Sequence, residues 1–75
     1  MSLGFLERAR QAATFAINRD PFCESAYCVR MRVESALGQS HAVLAEYQRL
    51  TTALAELGVE PTPATRQLVR ELRGS

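Results

Sequence analysis

The sequence predicts an all-α fold of about four helices stacked as antiparallel hairpins, and three observations carry that reading. Apolar residues recur at helical spacing along nearly the whole chain, and short joints marked by Gly or Pro separate the periodic stretches. The one β-leaning piece, Gly58-Val59-Glu60-Pro61, is too short for a strand. At 75 residues the chain has room for a single small domain, residues 1–75.

The first helical stretch runs from about Leu3 to Asn18. Its stripe of Leu6, Ala9, Ala13, Ala16 and Ile17 consists mainly of small side chains, which let another backbone approach closely. Asp20 and Pro21 then read as a helix start, with Asp20 accepting from free first-turn amides and Pro21 at the first helical position. Phe22, Ala26, Val29, Val33, Ala36 and Leu37 make one face of this second helix, and Tyr27, Met31 and Ser35 make a second, less apolar face. Gly38 ends it. Only Gly38-Gln39, with Ser40, remains as connector, and a loop this short forces the next helix to return antiparallel.

Val43, Tyr47, Leu50, Leu54 and Leu57 fall at i, i+4, i+7, i+11 and i+14, a single stripe widened by Leu44 and Ala45. Ser40 is placed to cap this third helix, Gly58 to close it in the left-handed conformation, and Pro61 to forbid its return. Val43, Tyr47, Leu50, Leu54 and Leu57 are therefore the expected hairpin core, and Gly38, Gly58 and Pro61 its turns. Thr62-Pro63 repeats the cap-then-Pro start. Leu68, Val69 and Leu72 supply the inner face of a last helix ending near Arg73, where Arg70 and Arg73 suit the C-terminal dipole.

Composition narrows the function. The net charge of +1, nine Arg against eight acids with no Lys, leaves no field of one sign to attract nucleic acid, membrane or acidic substrate. No run approaches the ~18 apolar residues of a membrane span, and no basic start leads into an apolar stretch. Met1-Ser2-Leu3 suits an expression leader as well as a native start. Cys23 and Cys28 stand five apart, about 140° of helical rotation, so their thiols do not face each other. They read as reduced structural thiols of a cytoplasmic protein.

The residues offer little chemistry. The one histidine, His41, has no partner at metal-ligand spacing, and neither cysteine has an oriented base. The acids are dispersed; Glu24 suits the N-terminal dipole of its helix, and Glu46 with Arg49 reads as an ordinary i, i+3 surface pair. The glycines sit at helix ends or termini rather than in a phosphate loop. Arg66, Arg70 and Arg73 recur at i, i+4 and i+7 as a basic edge with no aromatic or amide reader among them, which favours a solvated or partner-facing role over DNA contact. No enzyme activity, metal or cofactor is expected.

Helix, Gly, helix, with an aromatic nine residues after the Gly, is the style of a tetratricopeptide-like repeat. The stretch from Asp20-Pro21-Phe22-Cys23-Glu24 through Met31 and Leu37-Gly38, then Leu44, Tyr47, Leu50 and Leu54 into Leu57-Gly58-Val59-Glu60-Pro61-Thr62-Pro63, with Thr65 and Leu68 beyond, resembles the bacterial transcriptional activator domain. That domain is the tetratricopeptide-like partner of the DNA-binding domain in Streptomyces antibiotic regulatory protein (SARP) type regulators. The resemblance covers about residues 20–72. It departs from the family pattern at Val43, where Ala is usual, and at Gln39, where Arg is usual. The winged helix-turn-helix and additional upstream helices of such regulators are not in this sequence.

The resemblance implies a non-catalytic interaction and oligomerisation module of a transcriptional regulator. Its implied partners are a second copy, the parent protein's DNA-binding domain, or polymerase, with no direct nucleic acid and no membrane. The alternatives are a stand-alone adaptor, or a repeat-domain fragment of a larger signalling NTPase or cyclase. Phe5, Phe15, Tyr27 and Met31 have no evident place in one four-helix core. At least some of the four are expected to be buried between chains in a homodimer or higher oligomer, with Arg66, Arg70 and Arg73 at the same kind of surface; the alternative is that the first helix folds back and covers them within one chain.

Overall fold

The computed structural model describes residues 2–74, which form four α-helices and no strand: α1 (Leu3–Arg19), α2 (Glu24–Ala36), α3 (Ser40–Ala55) and α4 (Pro63–Gly74). Met1 of the Met1-Ser2-Leu3 start lies outside the described residues, as does Ser75. Ser2 opens α1 by accepting from the Phe5 N–H at 3.2 Å. The two interior glycines close their helices identically. At Gly38 (φ 77°), the Gln39 N–H donates to Glu34 O at 2.9 Å and the Gly38 N–H to Ser35 O at 3.0 Å. At Gly58 (φ 73°), the Val59 N–H donates to Leu54 O at 3.2 Å and the Gly58 N–H to Ala55 O at 3.0 Å. This paired closure needs one residue in the left-handed region, where a Cβ is strained.

Two helix starts differ from expectation. Asp20 ends α1, its N–H donating to Ala16 O, and its Oδ1 accepts from the Phe22 N–H at 3.0 Å. The Cys23 N–H donates to Asp20 O at 3.0 Å, so residues 20–23 form a turn and α2 begins only at Glu24. A carboxylate that takes the amide two residues on stabilises a turn in place of a helix. Ser40 is the first residue of α3 rather than its cap; Gln39 holds the cap position and makes no side-chain bond there. Thr62 caps α4 as expected, its Oγ1 accepting from the Thr65 N–H at 3.3 Å.

Consecutive helices pack as antiparallel hairpins, and α4 rests on both α2 and α3. Tyr27, Leu50 and Leu54 form one core cluster, with Ile17 and Phe22 against it. Met31, Val43 and Val69 form the other, with Cys28, Tyr47, Leu68 and Leu72 around it. Val43, Leu50 and Met31 are fully buried, and Pro61 is buried in the turn before α4.

Two expectations about side chains are corrected. Tyr27 (6% exposed) and Met31 (0%) belong to the core of this one chain, not to an interface between chains. The reason is that α2 packs on α1, α3 and α4 together, so apolar residues are buried on both of its sides. The Tyr27 hydroxyl also donates to Pro21 O at 3.2 Å, tying α2 to the turn before it. Leu57 is 55% exposed and is not a core residue. Regular helix ends at Ala55, and the turn through Glu56 to Gly58 carries Leu57 off the stripe.

Candidate interaction surface

Polar groups between the helices hold them in register. Arg10 on α1 donates to Glu34 on α2 at 2.8 Å. Glu46 on α3, expected at the surface, is 6% exposed, and its Oε1 accepts from Arg30 of α2 at 2.7 Å and from Arg49 at 3.0 Å. The spacing Val43, Glu46, Leu50 already puts this carboxylate on the buried stripe, a signal overridden by its charge. Its Oε2 is buried with no hydrogen-bond partner.

Glu24 opens α2 and also holds the start of α4. Its Oε2 accepts from the Thr62 N–H at 2.8 Å, the Thr62 hydroxyl at 2.9 Å and the Thr65 hydroxyl. The Cys28 thiol sits 3.3 Å from Thr65 Oγ1 and donates to it, since that hydroxyl is spent on Glu24. Burial is the largest single influence on Glu24 and pushes its carboxyl up. The hydrogen bonds from Thr65 and Thr62, with the Arg66 charge nearby, outweigh it and hold the carboxyl below its ordinary value.

The unfolded chain therefore takes up a proton more readily than the folded one. This stabilisation is fully present above the unfolded pKa and is lost as the pH falls through the folded one. Urea midpoints of the wild type and of Glu24→Gln should accordingly converge as the pH falls through and below the ordinary carboxylate range. A gap of constant size across that range would show that the carboxylate contributes no charge-dependent stability.

The expected contact residues separate into groups. Phe5 (52% exposed) and Phe15 (62%) lie on the outer side of α1, and Arg19 stands over the Phe15 ring at 5.5 Å from its centroid. Arg66 is half-buried and donates to Pro61 O at 2.7 Å, so it braces the turn, while Arg70 donates to Gln67 at 2.7 Å and Arg73 is exposed. Beside Phe5 two hollows of about 450 and 290 Å³ adjoin along the seam of α1 and α2. Ala9 and Val29 line both. Val29, read from the sequence as part of one face of the second helix, is half-buried and lines both hollows, since no other helix among the described residues packs there.

His41 is exposed, both thiols are free, and no group of three metal-ligating side chains gathers among the described residues. None of their helices is long and apolar enough to cross a membrane. What the surface offers is shape, apolar area and arginines.

Four helices joined by the Asp20 turn and the two glycine turns give the architecture that the resemblance implied, and comparison with known families decides the membership. The sequence model of the bacterial transcriptional activator domain matches residues 1–73. The chain belongs to that family. The match takes in α1, beyond the stretch of residues 20–72 on which the resemblance rested. The bacterial transcriptional activator domain is a regulatory family rather than an enzyme family. No curated protein and no solved structure matches the chain. In this bacterial transcriptional activator domain Val43 fills the close crossing of the hairpin, packed with Met31 and Val69 and fully buried.

Proposed function

We propose that this bacterial transcriptional activator domain is a non-catalytic protein-interaction module that serves a SARP-like regulator in the cytoplasm and presents helix faces to other proteins. The observation that supports this most is the outer side of α1. Phe5 and Phe15 remain exposed although Tyr27 and Met31, also expected at an interface, are used up by the core, and the other two aromatics, Phe22 and Tyr47, pack around it. Large apolar side chains exposed on one helix face suit a contact surface.

The test joins the chain to an unrelated operator-binding domain and reads transcription from a reporter. Transcription should rise severalfold above that given by the operator-binding domain alone. The rise should disappear in Phe5→Ser/Phe15→Ser, whose melting stays unchanged because both side chains are exposed. Equal transcription with and without the chain would overturn the reading.

Self-association is a second reading favoured by the same two phenylalanines. Sedimentation equilibrium at tens of micromolar should then show a concentration-dependent mass; a constant monomer mass excludes it. On its own the chain should bind no operator with sequence specificity, since its net charge is +1 and no recognition helix stands out. Nanomolar operator binding at physiological salt by these 75 residues would contradict that.

A further inference from the structure

The groove along α1 and α2 is a surface of definite chemistry. Phe5, Leu6, Ala9, Val29 and Val33 line its wider part with Arg32 at the rim, and Ala12 and Ala16 continue its α1 wall. Elsewhere in the chain a helix fills a comparable seam: α4 lies on α2 and α3, with Leu68, Val69 and Leu72 in the cluster of Met31 and Val43. Among the described residues no helix covers the α1–α2 seam in this way.

Charge says which helix would fit. Arg8, one turn beyond Phe5 and one before Ala12, stands on the same exposed strip of α1, and Arg32 stands on α2. Among the described residues neither guanidinium has a hydrogen bond or ion pair. The nearby acids are engaged elsewhere. Glu7 and Glu34 both meet Arg10, at 3.7 and 2.8 Å, Glu24 holds Thr62 and Thr65, and Asp20 holds the Phe22 amide. A second copy docked here would bring Arg8, Arg19 and Arg32 of both chains together, with the nearest carboxylates already committed to other partners.

We infer that the α1–α2 groove receives an acidic amphipathic helix of another protein, its apolar stripe against Phe5, Ala9, Ala12 and Val29 and its flanking carboxylates on Arg8 and Arg32. The inference deepens the interaction-module reading and rests on it. The groove's α1 wall from Phe5 to Ala16 spans about three helical turns, which sets the length of helix it takes. Small alanine side chains let that helix approach closely, and the two arginines fix its orientation through charge.

The probe is a capped, fluorescein-labelled helical peptide of about 16 residues, with Leu along one stripe and Glu on both flanks. A sister peptide carries Lys at every Glu. Anisotropy titrations with the full 75-residue chain should show the Glu peptide binding at least roughly tenfold tighter than the Lys peptide, with a preference that shrinks in high salt. Arg32→Glu, an exposed position, should reverse the preference, and Ala12→Trp, also exposed, should weaken both peptides by filling the groove.

Equal binding of the two peptides, no binding at about millimolar concentration, or indifference to both substitutions would overturn the inference. So would a dimer in sedimentation that Ala12→Trp abolishes, since it would assign the groove to a second copy. If the peptides fail while Phe5→Ser/Phe15→Ser still abolishes reporter transcription, the interaction module stands and only its acidic partner falls.

Discussion

Leu54→Ala should destabilise the domain by about 2–5 kcal/mol. Leu54 is 5% exposed and packs with Tyr27 and Leu50, where Ile17 of α1 and Phe22 of the following turn also converge. Truncation removes the side chain's transfer free energy and leaves a cavity among groups contributed by three helices and a turn. These are anchored separately and cannot all move in to fill it. A domain of this size is stable by only about 5–15 kcal/mol at best, so the loss is a large share of the whole. Leu57→Ala is the matching control, three residues on and 55% exposed, and should cost under about 1 kcal/mol. Urea melts of both variants decide the matter. A Leu54→Ala midpoint equal to wild type would mean that the α3 stripe does not face the core.

Arg30→Met should cost about 1–3 kcal/mol, the second-largest effect expected of one substitution. Glu46 sits almost fully buried with a single oxygen taking two guanidinium groups, and its other oxygen already has no partner. Without Arg30 the carboxylate keeps only Arg49, whose side chain is 63% exposed and is a weaker, solvent-screened partner. The charge would then be buried with too little compensation. Arg30→Met combined with Glu46→Leu removes the charge along with its partner, and it should recover most of the lost stability. If the double variant is no more stable than Arg30→Met alone, the ion pair is not the source of the cost.

The elements most legible in the sequence were those that local chemistry fixes. Gly38 and Gly58 each close a helix in the left-handed conformation, and Thr62-Pro63 opens α4, because these depend on a few neighbouring atoms. The α3 stripe was legible for a similar reason, since α3 buries essentially one face and periodicity reports a single face well. In α2 the same signal misled. That helix is buried on two sides, so Tyr27 and Met31 fell outside the first stripe and read as surplus apolar surface. Periodicity shows that a face is apolar but not whether the cover comes from its own chain.

Glu46 and Glu24 were hidden by a different limit. Glu46 is read locally as a surface acid and Glu24 as a partner of its helix dipole, and each owes its further role to residues far along the chain, Arg30 in one case and Thr62 and Thr65 in the other. Of the candidate surface, Phe5 and Phe15 were legible as unplaced aromatics. The groove beside them was not, because it depends on which side of α1 the second helix takes.

The central place of α2 also orders the molecule in time. α2 is packed on every other helix, whereas the backbone of α1 lies against α2 alone and only its Ile17 reaches the Tyr27–Leu50–Leu54 cluster, so α1 can swing away while α2, α3 and α4 stay together. Native-state amide exchange should therefore find two classes of protection. The α1 amides open at low free-energy cost, and those of α2 open only with the whole domain. A surface for partners and a stable scaffold need not then compete for the same residues: the helix that carries Phe5 and Phe15 is the one that can adjust its seat, and the helix beneath it cannot.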